Sequence, residues 1–163
     1  MKNITPFYPA LVAQFHNKFE VPLVEKPGDL FDEATFKFRQ KFLQEELDEL
    51  VVAYQNKDVP GVLDALVDLV YVAVGTADML RLPFDAAFME VHRANMEKER
   101  APSAEASKRG SAIDVIKPPN WTAPDIAGVI QQFAEVFNGM REAEAQKQHI
   151  EYPAAGVMPG EQQ

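Results

Sequence analysis

Between Asp58 and Asp78 the sequence offers three ionisable side chains, Asp64, Asp68 and the Tyr71 phenol, in a run otherwise made of apolar and small residues. Asp58 with Pro60 two places on is a helix-opening signal, and the pattern predicts a helix reaching about Met79. At 100° per residue, Asp68, Tyr71 and Gly75 fall within about 40° of Asp64. The other faces carry Val, Leu and Ala, so the helix is expected to be buried on nearly every side. A carboxylate in such a helix must be paired, protonated or bound to a cation, because leaving it charged and alone costs several kcal/mol.

The preceding helix, predicted over about Asp32 to Asn56, does not supply the missing cations. With Phe31 set at zero, Phe38, Phe42, Glu45, Glu46, Glu49 and Ala53 all lie within about 60°. Phe36, Leu43, Leu47, Leu50 and Tyr54 form an adjacent apolar strip, while Lys37, Lys41, Gln44 and Asp48 make a solvated one. Of the 16 Lys and Arg residues, only Lys57 and Arg81 lie between Glu45 and Arg81, and only Arg39 approaches the acidic face. Glu45, Glu46 and Glu49 alone would read as a solvated glutamate patch. Facing Asp64 and Asp68, they read as a hard oxygen-donor site suited to Mg²⁺, with Mn²⁺ as a substitute.

The rest of the chain predicts an all-α fold, a bundle of four to five helices. Thr5-Pro6 opens a first helix ending near Asn17, Pro83 a fourth ending near Glu99, and Thr122 with Pro124 a last one to about Ala145. Residues 1–145 form a single domain, with 100–120 an extended loop and 146–163 a flexible tail. Asn95 and Lys98 fall on the side of the fourth helix that carries Phe84, Phe88 and Val91, which turns an amide and a cation inward. That suits an anionic ligand, or a salt bridge closing the helix. Arg39 can pair with Glu46 or stay at the surface. Trp121 is the aromatic expected to anchor its loop to the bundle.

Several functions are excluded or disfavoured. There are no cysteines, and His16, His92 and His149 lack the spacing of a zinc site. No Gly-rich phosphate loop or nucleophile elbow is present. A net charge of -9 argues against nucleic acid or an anionic membrane as partner. The longest apolar stretch, Ala65 to Ala77, is broken by Asp68 and is expected to be too short for a bilayer. Met1 to Pro9 shows no secretory pattern, and a cytoplasmic location is expected.

At its acidic residues the chain resembles the all-α nucleoside triphosphate pyrophosphohydrolases, the superfamily of MazG, phosphoribosyl-ATP pyrophosphohydrolase and the all-α dUTPases. Their pattern is Glu-x-x-Glu on one helix and Glu-x-x-Asp on the next. Glu46-Leu47-Asp48-Glu49 matches the first half and Asp68 the second-half aspartate. Ala65 stands where the usual glutamate would be, and Asp64, one residue earlier, is expected to substitute. The run Glu90-Val91-His92-Arg93-Ala94-Asn95-Met96-Glu97-Lys98 and the later Lys117-Pro118-Pro119-Asn120-Trp121 are similar to the MazG-like proteins of phages and bacteria. The likeness covers roughly residues 8–130, in the expected order.

The resemblance implies Mg²⁺-dependent hydrolysis of a (d)NTP to the monophosphate and pyrophosphate, with Glu46, Glu49, Asp64 and Asp68 as metal ligands. Glu45 either activates the attacking water or hydrogen-bonds a ligand. The resemblance makes Asn95, Lys98, Arg39 and Trp121 the substrate-binding candidates: Asn95 and Lys98 for phosphate and sugar, Arg39 for phosphate, and Trp121, if not an anchor, for stacking on the nucleobase. Phosphoribosyl-ATP, a modified nucleotide, or a non-catalytic nucleotide- or metal-binding module are the alternatives. A homodimer or homotetramer is expected, in the cytoplasm or, for a phage protein, the host cytoplasm.

Overall fold

The computed structural model describes residues 8–151 and contains five helices. They are α1 (Tyr8–Lys18), α2 (Glu33–Gln55), α3 (Val59–Met79), α4 (Phe84–Met96) and α5 (Ile126–Glu151). Thr5-Pro6 and the end of the expected tail, 152–163, lie outside the described residues. The all-α prediction therefore holds.

Local chemistry sets the helix ends. Asp32 caps α2 by accepting from the Thr35 N–H, and Asp58 caps α3 by accepting from the Gly61 N–H. Three helices close alike, with a left-handed residue that is not glycine: Glu20 (φ 53°) after α1, Lys57 (φ 57°) after α2 and Arg81 (φ 50°) after α3. In each, the next residue's N–H returns to a carbonyl inside the helix: Val21 to His16, Asp58 to Ala53, Leu82 to Ala77. The closed end of α2 leaves only a tight turn before α3, so the two pack as an antiparallel pair.

That pair is the centre of the molecule, and small residues let it close. A Cβ placed on Gly61 would lie 3.2 Å from the Ala53 Cβ, and one on Gly75 would lie 3.3 Å from an Arg39 guanidinium nitrogen. Ala53, Ala65 and Val72 are buried here. α1 lies along a second flank of α3, where His16 Nδ1 and the Asp78 carboxylate hydrogen-bond at 2.6 Å. Phe15 meets Tyr71 edge-on.

α3 is not buried on every side. The stripe opposite α2 is open: Leu63 is 64 % exposed, Leu66 45 %, Val67 53 % and Val70 52 %. Among the described residues, α2 and α1 run along two flanks of α3 and α4 touches it more sparsely. Taken whole, α3 is also long and apolar enough to cross a membrane by length and composition, which Ala65–Ala77 alone is not. Asp64 and Asp68 would then sit near mid-bilayer, at about 2.5–3.5 kcal/mol each.

Beyond α3, Arg81 places its guanidinium over the Phe137 ring of α5 and donates to the Val24 carbonyl. α4 ends at Met96, short of the expected Glu99, because Glu99–Arg100 pairs antiparallel with Val115–Ile116 as strands β1 and β2. The segment expected as an extended loop is therefore a closed one. Ser107 and Arg109 both bond the Asp114 carboxylate inside it, and Ala101 is buried. α5 continues to Glu151, past the Ala145 at which the sequence pattern ends it.

Glu90 joins α4 to the start of α5: it accepts from the Asp125 N–H at 2.9 Å and pairs with Arg93 at 2.7 Å. The Arg93 hydrogen bond first, then the Asp125 N–H, hold its carboxyl down at about 2, from an ordinary 4.5. The folded pKa is depressed, so the stabilisation is complete above about 4.5 and is lost as pH falls towards 2. In thermal melts, Glu90→Gln is expected to lower Tm at pH 7. The gap to wild type should narrow steadily between pH 4.5 and 2; a gap that does not vary with pH would refute this origin.

Candidate metal and phosphate site

Glu46 is the buried acid of the cluster, 9 % exposed, on the face of α2 that meets α3. Burial pushes its carboxyl above the ordinary glutamate range, and the charges of Asp68, Glu49, Glu45 and Asp64 push the same way, in that order. The fold therefore brings all five acids singled out in the sequence into one electrostatic neighbourhood. Asp68 is half-buried, whereas Glu45, Glu49 and Asp64 are exposed and can reorient at little cost. Among the described residues the one cation in contact is Lys41, 3.5 Å from Glu45 with both side chains largely in solvent. Such a pair offsets little of a buried charge.

The donors fit a hard divalent cation, being carboxylate oxygens without nitrogen or sulfur. Their arrangement is open. Among the described residues no three Asp, Glu or His side chains already converge on one point. Closing them around an ion needs side-chain rotation of Glu49, Asp64 and Glu45, the exposed members. A depression of about 370 Å³ opens beside them, lined by Asp48, Glu49, Asn56, Asp58 and Asp64 among others. Asp48 stays a surface acid, accepting from the Gln44 amide.

The other predicted site residues lie elsewhere. Arg39 is buried (8 % exposed) and donates from Nη2 to the Val72 carbonyl at 2.8 Å and from Nε to Thr76 Oγ1 at 3.1 Å. Its ring partner is Phe42, 5.4 Å from the guanidinium carbon. Burial lowers its pKa, but an arginine remains charged at any physiological pH. Asn95 and Lys98 form a pair with each other, the ammonium donating to the amide oxygen at 2.7 Å. No contact among the described residues joins them to the carboxylates. The Trp121 indole N–H donates to the Ala94 carbonyl at 2.6 Å, and Lys117 lies over its ring at 3.9 Å. That is the geometry of an anchor on α4, with one ring face already covered by a cation.

Sequence reasoning missed the pair of buried His16 and part-buried Asp78, whose imidazole lies by Arg39 across Gly75. Asp78 lies at the end of the predicted third helix, past the run of acids read there, and its partner comes from a helix whose packing the periodicity does not specify.

Residues 12–95, just over half of the chain, match the family model described as Phosphoribosyl-ATP pyrophosphohydrolase. The match takes in all five acids, Arg39 and Asn95, and stops before Lys98 and Trp121. Comparison with curated proteins returns no match.

The raised carboxyl of Glu46 gives a direct stability test. Its folded pKa lies above the unfolded value, so the folded state loses stability as pH rises from the ordinary value near 4.5 through the raised one. Above that window the metal-free protein carries the full penalty. Glu46→Gln is accordingly expected to raise the Tm of EDTA-treated protein at pH 8, with little effect at pH 4. A lower Tm at pH 8 would show that the ionised carboxylate is not a net burden.

Proposed function

Because the chain belongs to the phosphoribosyl-ATP pyrophosphohydrolase family, within the MazG-like nucleotide pyrophosphohydrolases, we propose that it hydrolyses nucleoside triphosphates to the monophosphate and pyrophosphate at the α2–α3 carboxylates. The observation that carries this reading is Glu46, buried at the α2–α3 interface, where Asp68, Glu49, Glu45 and Asp64 all raise its pKa and no cation among the described residues pairs with it. A fold keeps an arrangement of this cost where a ligand repays it.

In this reading Glu46, Glu49, Asp64 and Asp68 hold Mg²⁺. When bound, Mg²⁺ neutralises phosphate oxygens and acidifies water, which lets an acidic surface receive a polyanion. Asp68 and Glu46, on facing helices, fix where the ion sits; Glu49 and Asp64 close from the solvent side. Glu45 is one residue from Glu46 and exposed, so it can meet a water without leaving α2. It takes the water's proton as the oxygen adds to phosphorus and the bridging P–O bond breaks, releasing pyrophosphate. Lys98 and Asn95 are a candidate phosphate and sugar contact. Among the described residues neither contacts the carboxylates, so the role requires α4 to approach the α2–α3 pair when substrate binds.

We infer further that a second copy covers the open stripe of α3, making a homodimer or a higher assembly from it. Leu63, Leu66, Val67 and Val70 recur at helical spacing without a charge among them, and α1 adds Leu11 beside a groove of about 550 Å³. Two copies meeting there would bury apolar surface at about 25 cal/mol per Å². Tetramers, Mn²⁺ in place of Mg²⁺, and a cytoplasmic setting are compatible with the same reading.

Each NTP and dNTP, and phosphoribosyl-ATP as a separate arm, is to be incubated with Mg²⁺ and assayed for pyrophosphate. Release from at least one nucleoside triphosphate is expected, and Glu49→Gln should reduce kcat by about 10²-fold or more with the fold intact. Turnover of phosphoribosyl-ATP alone would reassign the substrate; none from any would leave a binding module. Val67→Glu is expected to shift the light-scattering mass from a multiple of the chain mass to 18.2 kDa. A wild-type monomer would overturn the assembly.

A further inference from the structure

α2 and α3 meet in three layers spaced seven residues apart on both helices. Arg39 lies against Gly75, Glu46 faces Asp68, and Ala53 meets Gly61. Seven residues is the repeat that keeps one face of a helix on its partner. The middle layer is the problem layer, two like charges at the helix interface, and its repulsion favours sliding or separation of the two helices. The outer layers oppose that. At Gly61 the approach is apolar and close, which excludes inward movement but not axial slip. At Gly75 the contact is directional: two hydrogen bonds from one planar guanidinium to Val72 O and Thr76 Oγ1 fix the axial register. Gly75 leaves the room for it, since a Cβ there would lie 3.2 Å from His16 Nε2 and 3.3 Å from Arg39 Nη2. Arg39 has no carboxylate partner among the described residues, so its charge is not spent on an ion pair.

We propose that Arg39 is a positioning residue for the carboxylate site: by clamping α2 to the Val72–Thr76 turn of α3 it sets the register that brings Glu46 opposite Asp68. This rests on the metal-site reading above. It assigns Arg39 no contact with substrate; Glu46 is two turns away on α2, about 10 Å along the axis.

The test uses Arg39→Met and Thr76→Val in the full chain, with Mn²⁺ binding followed by EPR in the absence of nucleotide, alongside kcat, KM and Tm. Arg39→Met is expected to weaken Mn²⁺ binding about tenfold or more, in the range seen when a group that orients metal ligands is removed. Thr76→Val, nearly isosteric and removing one of the two acceptors, should give a smaller loss of the same kind. kcat should fall with Mn²⁺ affinity, while KM for nucleotide at saturating metal stays within about twofold. A rise in KM with Mn²⁺ affinity intact would make Arg39 a phosphate ligand and overturn the proposal. So would a fall in Tm with both binding and kcat unchanged, which is what simple structural cement predicts. If Arg39→Met does not fold, Thr76→Val decides between the same outcomes. A wild type that fails to bind Mn²⁺ overturns the metal-site reading itself, and is distinguished from failure of the clamp by appearing before any substitution is made.

Discussion

The rest of the structure depends on the pairing of α2 with α3, which holds Glu46 buried at the interface and level with Asp68. An interface of this kind is opposed by its own electrostatics, so the surrounding contacts have to supply its closure. They do so with small residues and with direction. Ala53 at Gly61 and Arg39 at Gly75 bring the helices within contact distance on either side of the acids, and the tight turn through Lys57 prevents the pair from opening at one end. His16 and Asp78 then fasten α1 across the same end as Arg39. Around the acids, the polar contacts of the core join helix to helix: Arg39 to α3 and His16 of α1 to Asp78.

Much of this was legible in the sequence because the relevant signal is local. An aspartate pair on an otherwise apolar helix conflicts with burial, and helical geometry places Glu45, Glu46 and Glu49 on one face without knowledge of the fold. Helix starts were readable from Asp32, Asp58 and Pro60, whose side chains act within one turn. The helix ends carried weaker marks, since Glu20, Lys57 and Arg81 take the left-handed position that glycine usually signals.

What was not legible was everything decided by a partner distant in sequence. Arg39 could be placed near the acidic face, but whether it meets phosphate, glutamate or a carbonyl depends on α3 lying one layer away, and it meets Val72 O and Thr76. Asn95 and Lys98 share the apolar side of α4, yet that side is open, with Phe88 60 % exposed, and Lys98 lies by Trp121 rather than by the carboxylates. The two-residue ladder of Glu99–Arg100 with Val115–Ile116 is too short to leave a periodic trace. The expectation that α3 is buried all round went wrong for a physical reason: apolar content reports that a surface must be covered, and it does not say which chain covers it.

Those two facts about α3 bear on each other. Its one face holds Asp68 against Glu46, and the face directly opposite is apolar and open. A helix free on its far side can tilt or slide, and tilt at α3 moves Asp64 and Asp68 relative to α2 by the same rigid-body displacement. Covering Leu63, Val67 and Val70 with a second copy would therefore do more than remove apolar surface from water. It would press α3 onto α2 from behind and resist the repulsion between the acids that their own interface cannot remove. In that arrangement, assembly, the Arg39 clamp and a bound divalent cation act on one coordinate, the separation and register of α2 and α3. Each then strengthens the others: ion binding is tighter in the assembled protein, and assembly is tighter in the ion-bound one, by the same factor.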